Sequence, residues 1–494
     1  MTCSPMLQQC VLAIDLGTST CKAALFSPRG QVLGLGHRAT RVTWHSPSTP
    51  EADPEDWWIA AIDATREALV RARVEPSSVA CIGVCGFMHT PIGVDTAGRA
   101  VAPIPLWYEG RSAAQAARLR AEAGDEFIAI TGDSPRANHT VTKLRWLADT
   151  YPSETARVDQ WLLPKDFVRL RLSGHRATDI SDALGTLLYD PIARTWAPQL
   201  VEACGVSPAK LPPICSSADI AGELTAQAAT AMGLIAGTPV VVGCADGYAT
   251  LLGADGCSPD RVCLYLGTSA WMTRFVAARE VDPRRQLVPA PDGYHQWIGA
   301  TACAGASLSW LGRLLTKSGE GNLIDEASTL KPGAGGVFFM PHLTGERGPV
   351  YDPDARATFA GLTLGHGRGH FARAVLEGVA FQIRRVLSKW PHRTEIQRAI
   401  LVGGGAASPV WAQILADVMQ LELEVPAVIE AGALGTALVA ASSVGVLEDP
   451  YAAAARLVRP VRTHTPDTIR GAVYDELYTS YCAMDSHISA GASG

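Results

Sequence analysis

The chain states one phrase twice. Val11-Leu-Ala-Ile-Asp-Leu-Gly-Thr-Ser-Thr20 recurs as Arg261-Val-Cys-Leu-Tyr-Leu-Gly-Thr-Ser-Ala270, about half of the 494 residues further on. Self-similarity at such a distance is the mark of a duplicated domain. An apolar strand entering Gly-Thr-Ser predicts a tight turn whose backbone N–H groups and hydroxyls hold a phosphate oxygen. Thr18 and Ser19 in the first copy, and Gly267, Thr268 and Ser269 in the second, are therefore candidate nucleotide-phosphate ligands. Two such turns on two related domains predict a nucleotide held between them, against the plainer reading of two buried strands with glycine turns. The copies differ at one telling position: Asp15 stands where the second has Tyr265. The second turn accepts an anion unassisted. A carboxylate beside a bound phosphate calls for a cation between them, so Asp15 reads as a Mg2+ ligand, the alternative being an Asx-type bond to its own turn.

The length predicts two domains, placed at residues 1–255 and 256–494. A formal net charge of −6, from 42 basic and 48 acidic residues, gives no basis for binding nucleic acid or an anionic membrane. No apolar run approaches the ~18 residues needed to span a bilayer. The start, Met1-Thr-Cys-Ser-Pro-Met-Leu7, lacks the pattern of a signal peptide, so the expected location is cytoplasmic. Twelve scattered cysteines without a C-x-x-C pair fit reduced thiols better than a metal site or a disulfide framework.

Along the chain, Cys21–Ser27 and Gln31–Thr40 flank a Pro/Gly turn and predict a hairpin. Asp53 followed by Pro54 opens a helix to about Arg73, and Val79–Cys85 reads as a buried strand with a loop over residues 86–91. Thr238–Ala245 reads as one further buried strand, ending at Asp246-Gly247. Ala399–Val402 predicts a strand, Gly403-Gly-Gly405 a turn, and Ser408-Pro409 the start of a helix. After Pro450 the chain reads as helices. Strand, turn, hairpin, helix, strand is the layout of a ribonuclease-H/actin-type domain.

These residues resemble the FGGY family of carbohydrate kinases over nearly the whole chain. Ala357-Thr-Phe-Ala-Gly-Leu362, seven residues, then His370-Phe-Ala-Arg-Ala-Val-Leu-Glu377 matches the family's C-terminal signature, and Thr140-Val-Thr-Lys-Leu-Arg-Trp-Leu147 nearly meets the N-terminal one, departing at Asn138 and Thr150. Leu163-Pro-Lys-Asp-Phe167, Thr178-Asp-Ile-Ser-Asp-Ala-Leu-Gly-Thr186 and Phe339–Arg347 resemble the xylulokinase branch. The resemblance implies an α/β fold of two ribonuclease-H/actin-like domains with an inter-domain active-site cleft, using ATP and Mg2+. It implies phosphorylation of a small sugar on a terminal hydroxyl, with a ketopentose such as D-xylulose expected and gluconate or another ketose or alditol as alternatives. A non-catalytic actin-like ATP-binding protein is the competing class, and a homodimer is left open.

Phosphoryl transfer needs positioning, neutralised charge and a base for the hydroxyl proton. Asp246 lies where the family places its catalytic Asp, and it doubles as a second metal candidate; the alternative is a cap on the next helix, Tyr248–Gly253. Met88, His89, Trp107, Glu109 and Arg111 are the sugar candidates: polar groups for hydroxyls before an aromatic wall. Gly403, Gly404, Gly405 and Ser408 are the nucleoside candidates, with Gly432 and Gly435 at an adjoining helix start. Arg347 reads as a charge clamp or as the ion-pair partner of Glu346. The chain departs from the family where Gln-Met-His-Gly becomes Phe87-Met-His-Thr90, where the usual Asp of the Trp loop becomes Glu109, and where Asp246-Gly247 follows the gluconokinase pattern.

Overall fold

The computed structural model describes residues 9–45, 49–257, 261–276, 287–289, 295–315, 321–346, 348, 352, 354–390 and 393–491; Arg347 lies outside the described residues. Contacts divide the chain into two compact units. The first comprises Met1–Cys257, Val276–Gln296 and Glu430–Val458, and the second Ser258–Phe275, Trp297–Ile429 and Arg459–Gly494.

In the first unit the expected hairpin forms from β2 (Thr20–Phe26) and β3 (Val32–Ala39). Gly30 closes it at φ +72°, donating its N–H to Ser27 O at 2.9 Å. β1 (Cys10–Leu16) pairs antiparallel with β2 and parallel with β4 (Val79–Gly86). Beyond β4 lie β6 (Pro239–Val241), parallel to it, and β5 (Ile220–Glu223), antiparallel to β6 at the edge. The short β7 (Cys244–Ala245) pairs with the end of β4, so the order is β5-β6-β4-β1-β2-β3. Strand side chains alternate between faces, and β4 shows what each face meets. Cys81 Sγ reaches Ala440 O at 3.2 Å, Gly83 lies against Thr436, and Cys85 Sγ lies 3.8 Å from Gly432 O, all on the helix Ala431–Ser443. Ile82 and Val84 instead join the core shared with the helices Pro54–Ala72 and Pro164–Ser173. The former begins as the sequence predicts, Asp53 Oδ1 accepting from Glu55 N at 3.0 Å.

The second unit repeats the plan. β8 (Val262–Leu266) is antiparallel to β9 (Ala270–Val276) and parallel to β11 (Arg398–Val402), which is parallel to β12 (Glu422–Pro426). β10 (His295–Thr301) follows β9, and β13 (Pro460–His464) is antiparallel to β12. The order β13-β12-β11-β8-β9-β10 is that of the first sheet.

Three expectations need correction. Thr238–Ala245 is two strands, because Gly243 turns at φ +80° with its α-carbon so close to β4 that a Cβ would stand 1.9 Å from Val84 O. The helix after it opens at Asp246, not Tyr248. The region after Pro450 is not all helical: Pro460–His464 completes an exposed sheet edge, where a leading Pro needs no ladder partner. Among the described residues no helix is long and apolar enough to cross a membrane.

Burial pushes the thiols of Cys81, Cys204 and Cys263 up to about 12. At pH 8 their thiolate fraction is then on the order of 10^-4, and the thiolate is the reactive form. Mass-spectrometric mapping after brief alkylation of native protein should leave these three unlabelled, and denaturation should label them fully; rapid native labelling would contradict the packing described.

Candidate active site

The parallel register brings the acidic candidates together. Asp15 stands opposite Cys85, Leu16 opposite Gly86, and Ala245 opposite Gly86. The turn after β1, the loop after β4 and Asp246 after β7 therefore all leave the carboxyl ends of adjacent parallel strands, the edge where open α/β sheets present ligand sites. Asp246 is half-buried and opens the helix Asp246–Gly253, its Oδ1 accepting from Gly247 N at 2.7 Å. Asp15 Oδ1 accepts from Cys85 Sγ at 3.4 Å, and beside it Lys22 pairs with Glu430. Gly432 lies under the other oxygen: a Cβ there would stand 2.8 Å from Asp15 Oδ2. Gly432 thus serves Asp15, while Gly435 lets its helix meet Asp246–Gly253 backbone to backbone, a Cβ there standing 1.8 Å from Ala249 O.

Thr18 shows how the first turn is prepared for an anion. Trp107 Nε1, which can only donate, gives its proton to Thr18 Oγ1 at 2.7 Å. The Thr18 hydroxyl proton is then left to donate outward. The turn's carbonyls are held from behind, Thr18 O by Thr40 Oγ1 at 2.7 Å and Ser19 O by Thr40 N at 3.1 Å.

Glu109 and Arg111 form a buried ion pair, Arg111 Nε to Glu109 Oε2 at 2.6 Å, and Arg111 also reaches Glu51 Oε1 at 2.8 Å and stacks over Trp146. Glu109 is 3% exposed, yet its Oε1 has no hydrogen-bond partner, and neither has the buried NH2 of Arg111. An orphaned acceptor and an orphaned donor on one ion pair suit a hydroxyl, which gives and takes a hydrogen bond. Met88 and His89 lie against Gly185, where a Cβ would come 2.1 Å from Met88 Cε. His89 sits in the left-handed region at φ 65°, a costly conformation for a non-glycine residue. Phe87, by contrast, is core: it is 4% exposed and meets Trp57 edge-on at 5.4 Å.

Sequence reasoning missed what holds His89. Lys143, wholly buried, donates Nζ to His89 O at 2.7 Å and to Asn138 O at 3.1 Å, and the His139 ring lies 5.3 Å from that of His89. The available signal was a lysine on the same helical face as Thr140, Leu144 and Leu147.

In the second unit, β8 and β11 are adjacent and parallel, so Gly267–Ser269 and Gly403–Gly405 leave the same sheet edge. The carbonyls of the Gly267–Ser269 turn are occupied: Gly267 O accepts from Gly305 N at 2.8 Å, and Thr268 O from Ala304 N at 2.9 Å. The glycines have different reasons. Gly403 (φ +89°) and Gly405 are pressed on Leu266, whereas around Gly404 nothing lies within 4 Å of a notional Cβ, so only there does the missing side chain leave room for a ligand. Ser408 caps the helix Pro409–Met419, its Oγ accepting from Trp411 N at 3.2 Å. Tyr265, the counterpart of Asp15, lies along Gly267 and stacks on Trp271 at 5.2 Å.

Among the described residues no three His, Cys, Asp or Glu side chains converge as a metal cage. A divalent ion would need one or two carboxylates completed by ligand oxygens and water, which is how Mg2+ is commonly held. Asp15 fits that role. Burial raises its carboxyl above the ordinary range, Lys22 pulls it back and Glu430 adds to the rise, so a cation above the Gly432 cradle would stabilise its ionised form.

Residues 10–253 match the FGGY family of carbohydrate kinases, N-terminal domain, and residues 263–444 its C-terminal domain. The xylulose kinase of Escherichia coli (strain K12) is 33% identical, covering 94% of this chain and 96% of the relative. The crystal structure of xylulose kinase from Rhodospirillum rubrum aligns at 31% identity with a TM-score of 0.80, covering 97% of this chain and 99% of that one. The gluconokinase of Bacillus subtilis (strain 168) is 25% identical over 92% of this chain and 91% of the relative.

Trp107→Phe keeps the aromatic wall but removes the bond to Thr18. A net hydrogen bond of this kind contributes about 1 kcal/mol, so urea unfolding should show a loss of that order, with faster amide exchange in the first turn. Unchanged exchange there would show that Trp107 does not organise it.

Proposed function

The chain belongs to the FGGY family of carbohydrate kinases, and from that premise we propose that it transfers the γ-phosphoryl group of ATP to a terminal hydroxyl of a ketopentose of the D-xylulose type. The observation that carries this reading is the meeting of Asp15, Thr18, the Met88–His89 loop and Asp246 at the ends of three adjacent parallel strands.

In this reading Glu109 Oε1 and Arg111 NH2 bind hydroxyls of the acceptor, with Trp107, Met88 and His89 as the wall that orients it. Asp246 takes the proton of the attacking hydroxyl as its oxygen bonds to phosphorus and the bond to the ADP oxygen breaks. The transition state is loose, so the proton moves late and Asp246 needs no raised pKa. Thr18, Ser19, Gly267, Thr268 and Ser269 receive phosphate oxygens, while Gly403, Gly404, Gly405 and Ser408 line the nucleoside's place. Mg2+ on Asp15, with Asp246 as second carboxylate, supplies neutralisation of phosphate charge when bound.

A sugar acid is disfavoured by charge. Asp15, Glu109 and Asp246 are acidic, and carboxylates offset the charge of Arg111 (Glu109 and Glu51) and of Arg136 (Asp133). That favours a neutral polyol over gluconate, which Asp246-Gly247 and the Bacillus relative keep as the second reading. The buried thiols suit a reducing cytoplasm.

A coupled assay of D-xylulose, other ketopentoses, alditols and gluconate with ATP and Mg2+ should give D-xylulose the highest kcat/KM. A preference for gluconate would replace the substrate, and ADP release indifferent to any sugar would favour the non-catalytic actin-like alternative. Asp246→Asn should lower kcat by 10^2-fold or more, the usual scale of general-base catalysis, with nucleotide affinity changed by less than about threefold. Undiminished turnover would refute the base. Glu109→Gln removes a charge-assisted bond worth about 1.5–3 kcal/mol, so the sugar KM should rise roughly 10- to 100-fold while that for ATP stays within about twofold. Equal effects on both would remove Glu109 from the sugar site.

A further inference from the structure

The two motifs Leu163–Phe167 and Thr178–Thr186 have so far no part in the chemistry, yet they build the most highly charged part of the first unit's interior. Lys165, Asp166, Arg169 and Asp179 are wholly buried and Asp182 is 1% exposed. Lys165 Nζ lies 2.6 Å from Asp166 Oδ1 and 3.0 Å from both Asp179 Oδ1 and Asp182 Oδ2, while Arg169 NH1 lies 3.0 Å from Asp166 Oδ1. Buried charges of this kind are poor stabilisers, since well-packed apolar residues often do as well. Their placement suggests another use.

The network grips the backbone that presents Asp246. The β4 ladder fails at Val242 and Gly243, where the chain kinks between β6 and β7, and one side chain and a neighbouring stretch of backbone take its place. Arg169 NH1 donates to Val242 O at 2.7 Å, and Gly243 N donates to Ser217 O at 3.0 Å. Ala245 N, immediately before Asp246, donates to Ser181 Oγ at 2.8 Å. Ser181 Oγ in turn donates to Asp179 Oδ2 at 2.5 Å, which also accepts from Ser217 Oγ at 2.8 Å. Burial would raise the Asp179 carboxyl, but Lys165, Ser181 and Ser217 outweigh it and hold it below the ordinary range. An ionised Asp179 can only accept, so the Ser181 proton points at it and the Ser181 lone pair faces Ala245 N. Asp182 is pushed well up by burial and by its carboxylate neighbours against the pull of Lys165.

Ser181 stands on the helix Ile180–Gly185, capped by Asp179, which accepts from Ser181 N at 2.9 Å. Its far end, Gly185, is the residue against which Met88 and His89 pack. One helix of six residues, about 9 Å long at 1.5 Å per residue, therefore touches the mount of the acid at one end and the sugar wall at the other.

We propose that Ser181, oriented by Asp179 and Lys165, is a positioning residue that sets the carboxylate of Asp246 at a fixed distance from the sugar hydroxyl. This rests on the reading of Asp246 as the base. Ser181 does not itself touch the reacting atoms.

The test is a double-mutant cycle in the full-length enzyme with D-xylulose, ATP and Mg2+. Ser181→Ala should lower kcat about 20-fold or more with both KM values within about twofold, and Ser181→Thr should restore most of the loss. In an Asp246→Asn background Ser181→Ala should cost less than about twofold more, because a mount matters only while the base is present. The same factor in both backgrounds, or a loss confined to thermal stability or KM, would overturn the positioning role and leave Asp246 as base. Full turnover of Asp246→Asn alone would overturn the base and the mount together. Should Ser181→Ala fail to fold, Ser217→Ala, which removes one donor to Asp179 and leaves Ser181, is read in the same cycle: a loss of about threefold that vanishes in Asp246→Asn supports the proposal, and equal losses refute it.

Discussion

Hydrogen bonds between parallel strands place Asp15 opposite Cys85 and Ala245 opposite Gly86, and this register makes neighbours of residues that the chain separates by 70 and 159 positions. Parallel pairing aligns strand ends, so whatever follows each strand emerges on one edge. A slip of one residue on β1 would turn Asp15 to the opposite face, away from Gly432. The glycine contacts under this sheet, Gly83 on Thr436 and Gly432 on Asp15, show how closely the helix Ala431–Ser443 is seated to secure that arrangement.

The two sheets share one strand order, yet one position after duplication sends them in different directions. In the first unit the penultimate residue of β1 is a carboxylate over a glycine, beside an ion pair of Lys22 and Glu430. In the second unit the same position of β8 is Tyr265, whose ring fills the space along Gly267. A carboxylate invites a cation and repels a phosphate, whereas an aromatic ring leaves the neighbouring backbone N–H groups as the local electropositive feature. One scaffold thus carries two kinds of end, and the proposed division between acid chemistry and anion binding follows.

Much of this was legible along the chain. The hairpin at Ser27–Gly30, the helix opened by Asp53-Pro54 and the cap at Ser408 rest on local rules, in which a few neighbouring residues decide the outcome. Phe87, where the chain departs from the family's pattern, lies in the core against Trp57, because the chain beyond the end of β4 turns its side chain there. The region after Pro450 read as helix since its composition suits one; the edge of β12 recruited Pro460–His464 instead. Lys143 and the charges around Lys165 escaped notice because an ion's burial depends on what surrounds it in space.

The sequence by itself determined the duplication, the family, the two Gly-Thr-Ser turns and the identity of the candidate acid, since each is written in short contiguous runs whose geometry is local. Only the tertiary structure decided which groups are left orphaned at Glu109 and Arg111, that Glu430–Val458 returns to the first unit, and that Ser181 and Arg169 hold the backbone leading to Asp246. The physical reason is that satisfaction of a buried polar group is a property of three-dimensional neighbours, and those neighbours are brought together by packing from distant parts of the chain.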